Sequence, residues 1–272
     1  MRHTTITATT KLCAIIGNPV EHSLSPLIHN AAFEHLKLNY AFLAFKVEQL
    51  REAVMGIRAL NLKGVSVTIP HKVEIVDYLD DIEEVARKIG AINTVVNQEG
   101  RLFGYNTDWS GAIKALEEKI ELKNKKTVLL GAGGAARAIA YGLKEKGTDL
   151  TILNRTVKKA EVLASELDCL YGGLERVESF KPDILINTTS LGMYPQVDDT
   201  PIRKEFLKSM LVFDIVYNPL KTRLIREAEQ NGCATIMGVE MFINQAALQF
   251  ELWTGKKAPV ELMKNVVVEK LS

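Results

Sequence analysis

The sequence is poor in cysteine, and Cys13, Cys169 and Cys233 are odd in number, far apart and outside any CxxC or Cys/His cluster. That excludes a disulfide framework and a thiolate zinc site, and it fits a reducing cytoplasm. Long hydrophobic runs are missing as well. The first apolar run, Leu12 to Ile16, is too short for a signal-peptide core or a membrane span, so it reads as a first strand. No block of one charge sign stands out, and 34 basic residues against 33 acidic leave a net charge of +1. Neither nucleic acid nor an anionic membrane is therefore an expected partner. A small molecule is.

What is present suffices for a full core: 272 residues, 47% of them hydrophobic, enough for one or two domains. Strand-like apolar runs recur at 12–16, 40–47, 65–69, 91–96, 127–131, 149–153, 183–187, 211–216 and 234–237, mostly separated by stretches of helical period. This alternation predicts βα units and largely parallel sheets, an α/β fold. Asn93 to Asn97 and Arg101 to Tyr105 flank Gln98-Glu99-Gly100 and read as a hairpin. Ser25-Pro26 offers an N-cap and an N1 proline to the helix LIHNAAFEHL, and Asp108 a cap to WSGAIKALEEKI. The polar break Leu122 to Lys126 follows that second helix. The expected division is a first domain over 1–108 and a second over 109–238. Two further helices, 239–253 and 259–271, carry no signal of which domain they pack on.

Thr127 to Arg137 (TVLLGAGGAAR) is a strand, a glycine-rich turn and a helix start of the form G-x-G-x-x-A. Gly131 permits the tight turn, Gly133 lets backbone approach a pyrophosphate, and the helix N-terminus supplies N–H groups and partial positive charge. A ligand-free glycine-rich turn is the alternative. The next strand ends Leu153-Asn154-Arg155-Thr156, where a dinucleotide fold presents its ribose-reading residue. A guanidinium there pairs with a 2′-phosphate, which favours NADP over NAD.

In the first 108 residues, polar groups collect at strand ends and turns: Ser23 and Ser25, then Ser66, Thr68 and Lys72, then Asn93-Thr94, then Asn106-Thr107-Asp108. Each has a plain structural role open to it. Ser25 and Asp108 are potential helix caps, Lys72 a solvated charge, Asn93 a turn residue.

Taken in order, SLSP (23–26), GVSVTIPHK (64–72), GAINT (90–94), YNTD (105–108), GAGGAAR (131–137), NRT (154–156), NTTSLGM (187–193), DIVYN (214–218) and INQAALQF (243–250) resemble the motif set of the shikimate dehydrogenase family, over about residues 11–255. The resemblance implies a two-domain α/β protein: an N-terminal substrate domain, to which 239–272 would return, and a Rossmann-like NADP-binding domain. It implies reversible, NADP-dependent reduction of 3-dehydroshikimate to shikimate, a step of the shikimate pathway to aromatic amino acids. Carried over, Lys72 and Asp108 are the catalytic pair, and Ser23, Ser25, Ser66, Thr68, Asn93, Tyr217 and Gln245 contact substrate. Gly131, Ala132, Gly133, Gly134 and Ala135, with Asn154, Arg155 and Thr156, contact NADP, as do Ile215 and Gly238. Thr188, Ser190, Met193 and Met241 fall around the nicotinamide, and Glu84 is a weaker carry-over to the cofactor side.

Many family members carry asparagine at the position of Ser66 and phenylalanine at that of His71. Serine has a shorter reach and lacks the amide's paired donor and acceptor, which leaves quinate or an aminoshikimate open as further substrates. His71 reads as a structural or exposed imidazole. A quinate/shikimate dehydrogenase using NAD as well as NADP is the nearest alternative, and a non-catalytic nucleotide-sensing protein the alternative of another class. The chain is expected to work in the cytoplasm as a monomer or homodimer, without a metal.

Overall fold

The computed structural model describes residues 6–272. The chain divides into two compact units: unit 1, Met1–Thr107 with Gln245–Lys270, and unit 2, Asp108–Asn244 with Leu271–Ser272.

Unit 1 contains β1 (Lys11–Gly17), α1 (Ser25–His35), β2 (Tyr40–Lys46), α2 (Leu50–Ala59), β3 (Gly64–Val67), β4 (Asp81–Ile82), α3 (Glu84–Ile89), β5 (Thr94–Gln98) and β6 (Arg101–Tyr105). Its sheet has the order β2-β1-β3-β5-β6-β4. β1 runs parallel to both β2 and β3, while β5 is antiparallel to β3 and β6. The chain thus leaves β1 for one side of the sheet and then crosses to the other, which makes the β1/β3 boundary a switch point where ligands collect. One face is closed by Ala14, Ile16, Val65, Val67, Ile75 and Val95 with the apolar side of α2.

Unit 2 contains α4 (Asp108–Glu117), β7 (Lys126–Leu130), α5 (Gly134–Glu145), β8 (Asp149–Leu153), α6 (Val157–Leu167), β9 (Leu170–Gly172), β10 (Ile184–Asn187), β11 (Leu211–Asp214), α7 (Arg223–Gln230) and β12 (Ala234–Ile236). Its sheet, β12-β11-β10-β7-β8-β9, is parallel throughout. The order is that of a dinucleotide-binding fold, with the switch point between β7 and β10. Strands buried on both faces are apolar at nearly every position, as ILIN of β10 and LVFD of β11 are. The long helix α8 (Gly238–Thr254) gives its residues from Gln245 on to unit 1, and α9 (Val260–Leu271) follows.

Several local expectations are corrected. β3 stops at Val67, and Ile69 does not share the buried face of Val65 and Val67 but is 58% exposed. The reason is that Pro70 follows at once and has no N–H to continue the ladder. The hairpin loop is two residues, since Gln98 pairs with Arg101 and only Glu99 (φ 54°) and Gly100 (φ 89°) take the left-handed turn. Residues 91–93 precede β5 rather than belonging to it. Ser25 is not an N-cap: it is the first residue of α1, after Leu24, and its own N–H donates to Ser23 Oγ.

Candidate functional site: a polar cluster and a glycine turn

In unit 1 the polar residues of the sequence gather at the carboxyl end of β3. Gly64, Ser66 and Thr68 share one face, opposite Val65 and Val67. Along this face lies α8. A side chain on Gly64 would overlap the indole of Trp253, and Ser66 Oγ lies 2.6 Å from Gln249 Oε1. Two strand residues advance about 6.7 Å and four helix residues about 6 Å, so strand and helix stay in step. The helix also bonds the neighbouring strand, Trp253 Nε1 to Val95 O at 3.0 Å and Gln249 Nε2 to Asn93 O at 3.0 Å.

Asn93 is the hub of the cluster. Its Oδ1 accepts from Thr107 N–H at 2.8 Å and from Thr94 Oγ1 at 2.7 Å, and its Nδ2 donates to Thr107 Oγ1 at 2.9 Å and to Gln245 Oε1 at 3.4 Å. Asn106 Nδ2 holds Ala91 O at 2.8 Å. Unit 1 thus brings together Ser66, Asn93 and Gln245 of the expected residues. At the β1/β3 switch point, bare Gly17 admits the Cγ2 methyl of half-buried Thr68. Ser23 and Ser25 lie on the segment that leaves the same end of β1, and Lys72 follows Thr68 by one turn, its carbonyl accepting from Ile92 N–H at 2.7 Å. His71 is buried, with its Nε2 donating to Val47 O at 2.9 Å, which makes it structural. His29 is structural too. It stacks on Phe42 at 4.5 Å, and burial pushes its pKa down to about 3.

In unit 2, Gly131 follows β7 with φ 115°, and a side chain there would overlap Thr188 Oγ1, which itself bonds Leu130 O at 2.6 Å. Gly133 stands before α5 with nothing within 4 Å of where a Cβ would be. The turn therefore offers open backbone at a helix N-terminus at the switch point, which suits a pyrophosphate. Asn154 Nδ2 closes the next turn on Thr156 O at 3.0 Å and leaves the Arg155 side chain exposed. Gly238 is required, because any side chain would run into Ile215 O and Val216 O. Tyr217 stacks on Phe242 at 4.2 Å. Ser190 and Met193 are exposed, whereas Met241 is 6% exposed and packs in the core. Asp108, 4% exposed, opens α4. Glu84 belongs to unit 1, where it is exposed and ion-paired to Lys88 at 2.8 Å.

Two buried residues were missed by sequence reasoning. Gln249 stands four residues after Gln245 on an apolar helix, and that i, i+4 repeat of amides was the available signal. Asp214, a lone acid ending the apolar strand LVFD, accepts from Asn187 Nδ2 at 3.0 Å, Val216 N–H at 3.1 Å and Thr222 Oγ1 at 2.6 Å. Through Asn187, whose Oδ1 takes Thr189 N–H at 3.1 Å, it anchors the NTTSLGM loop. Burial pushes the Asp214 pKa up to about 6. Among the described residues no group of three or more His, Cys, Asp or Glu is placed to hold a metal, and no helix is long and apolar enough to cross a membrane.

Comparison with known proteins matches these regions to three family models. Residues 15–95 match the shikimate dehydrogenase substrate binding domain, 114–219 the shikimate/quinate 5-dehydrogenase model, and 238–268 the shikimate 5′-dehydrogenase C-terminal domain. A shikimate dehydrogenase (NADP(+)) of Methanocaldococcus jannaschii is 46% identical over 98% of this chain and 99% of its own. A crystal structure of a shikimate dehydrogenase in complex with NADP+ superposes with a TM-score of 0.94 at 44% identity, covering 100% of this chain and 99% of that one. The Thermus thermophilus enzyme in complex with NADP(H) and shikimate gives 0.87 at 36% identity, over 95% of this chain and 99% of that one. With both its sheets, its glycine turn and nearly its whole length matched, the chain belongs to the shikimate dehydrogenase family.

Proposed function

We propose that this protein is an NADP-dependent shikimate dehydrogenase that reversibly reduces 3-dehydroshikimate to shikimate. The observation that carries this reading is 46% identity over 98% of the chain to an NADP+-dependent enzyme of that name.

Gly131 to Ala135 would hold the pyrophosphate against the N-terminus of α5, where open backbone fits it, and Asn154, Arg155 and Thr156 the 2′-phosphate. Thr188, Ser190, Met193, Ile215, Gly238 and Met241 would shape the nicotinamide end, with Glu84 the most peripheral of the set. NADPH, when bound, supplies the hydride. Ser23, Ser25, Ser66, Thr68, Asn93, Tyr217 and Gln245 would fix the hydroxylated ring with uncharged donors and acceptors. Lys72 Nζ would give its proton to the ketone oxygen as charge develops there, and take it back in the oxidative direction. Asp108 would orient that ammonium. It is the residue next to Thr107, whose N–H is tied to Asn93, so one hydrogen bond steadies both the ring-binding amide and the start of α4.

The test follows reduced-nicotinamide absorbance on mixing the protein with shikimate and NADP+. Turnover with this pair, and much weaker turnover with NAD+ or quinate, is expected. Equal rates with quinate and NAD+ would favour the broader quinate/shikimate activity. Binding of both ligands without reduction would overturn the enzyme reading.

A further inference from the structure

The hydrogen bonds beneath the unit 1 cluster run in one direction, fixed by groups that cannot reverse. Thr107 N–H can only donate, so the atom of the Asn93 amide that it meets at 2.8 Å is the oxygen. Asn93 backbone O can only accept, so the atom of Gln249 that reaches it at 3.0 Å is Nε2. The second Nε2 hydrogen goes to Thr94 Oγ1 at 2.9 Å, and that hydroxyl passes its own proton to Asn93 Oδ1 at 2.7 Å. Gln249 is thereby locked with Oε1 toward Ser66, 2.6 Å away. Oε1 has no proton to give, so Ser66 must donate its only one. Ser66 Oγ retains acceptor capacity alone.

We infer that Gln249 is a positioning residue for substrate recognition: by holding the Ser66 proton it makes Ser66 an obligate acceptor, which selects a ring hydroxyl that donates at that point. Gln249 is 2% exposed and acts through Ser66 rather than by touching the ligand. Ser66 shares its face with half-buried Thr68, just past the carboxyl end of β3, and the ring would meet it from that side. A serine with a free rotor would accept from a hydroxyl or donate to an ether or carbonyl equally well. The committed one discriminates, because a ligand atom without a proton would face a lone pair. The inference rests on the shikimate reading above.

The experiment compares kcat/KM for shikimate, 4-deoxyshikimate and 5-deoxyshikimate in wild type, Ser66→Ala, Gln249→Met and the double variant. NADP+ affinity and thermal unfolding are measured alongside. Wild type is expected to prefer shikimate over at least one deoxy analogue. Both single variants should shrink that preference by about 3- to 10-fold, the worth of one net hydrogen bond. The change should fall in KM more than in kcat, and Gln249→Met should add less than about twofold on top of Ser66→Ala. An equal loss for all three substrates, or a full Gln249→Met effect in the Ser66→Ala background, would overturn the inference. Should Gln249→Met lose cooperative unfolding, Ser66→Ala decides alone: a preference that survives it overturns the proposal, and one that shrinks supports it. Wild type failing to oxidise shikimate at all would sink the functional reading and this inference together, whereas wild-type turnover with an unmoved preference sinks only the inference.

Discussion

Each unit sets a glycine at the end of its first strand against a threonine just past the strand across the switch point, and the two threonines are turned opposite ways. Gly17 faces the methyl of Thr68, whose hydroxyl makes no hydrogen bond among the described residues; Gly131 faces the hydroxyl of Thr188, already committed to Leu130 O. Unit 1 leaves that hydroxyl uncommitted, which suits the hydroxylated ligand proposed for it. Unit 2 uses its own to brace the backbone, which suits the phosphate proposed at its N–H groups. The buried networks behind them differ in the same sense. Behind Thr68 lie the neutral groups Ser66, Gln249, Asn93 and Thr94, whose polarity no ordinary pH alters. Behind Thr188 lies a carboxylate, Asp214, that titrates. The network behind Thr68 is thus neutral at any ordinary pH, and the one behind Thr188 is not.

The largest expected effect lies in unit 1. Lys72→Ala should cut kcat by about 10²- to 10⁴-fold while moving the shikimate KM far less, as steady-state rates in both directions would show. Lost binding with turnover retained would move the chemistry away from unit 1. Next come the two glycines, read by chemical denaturation. Gly131→Ala combines a positive φ with steric overlap and should cost about 2–5 kcal/mol, whereas Gly17→Ala suffers overlap alone and should cost about 1–3 kcal/mol. Thr68→Ser, which removes the offending methyl, should recover most of the Gly17→Ala loss. Thr188→Ala should recover only part of the Gly131→Ala loss, since strain at φ 115° remains.

Asp214 gives the pH arm of the comparison. Its pKa is raised by burial from 3.8 to about 6, against the pull of Thr222, Val216 N–H and Asn187. A raised acid stabilises the fold fully below its unfolded value and loses that contribution as pH climbs through the folded one. Unfolding free energy of wild type relative to Asp214→Asn should therefore fall by about 3 kcal/mol between about pH 3 and pH 7, most of it between pH 4 and 6, and then level. A flat difference curve would erase the contrast between the networks. Smallest is Arg155→Ala, expected to weaken NADP+ by about 10- to 100-fold, leave NAD+ nearly unmoved and spare the shikimate KM.

The α/β alternation, the parallel sheet of unit 2, the hairpin and the glycine turn were all legible, because each rests on local periodicity or on a residue type a turn demands. The order of motifs made the family legible as well. What escaped depends on partners far away in sequence. Ser66 read as half of an alternating pattern, and nothing in GVSVTIPHK shows that its hydroxyl is bonded 183 residues away, to Gln249. Ile69 continues the alternation of Val65 and Val67, but β3 ends before it and Pro70 follows with no N–H for the ladder. The burial of Met241, 6% exposed within the unit 2 core, belongs to packing no periodicity reveals. DIVYN drew notice to Ile215 and Tyr217, while the acid that organises the loop was its first letter.

The covering of β3 by α8 also orders events during synthesis. Unit 1 lacks Gln249, Phe250 and Trp253 until the ribosome has made all of unit 2, a delay of about 10–30 s at ordinary elongation rates. Throughout that interval the Gly64 furrow has no indole in it, and His29, Phe33 and Phe42 miss the rings they later pack against. The segment made first is therefore completed last, and the nascent chain carries an unfinished aromatic face in the meantime.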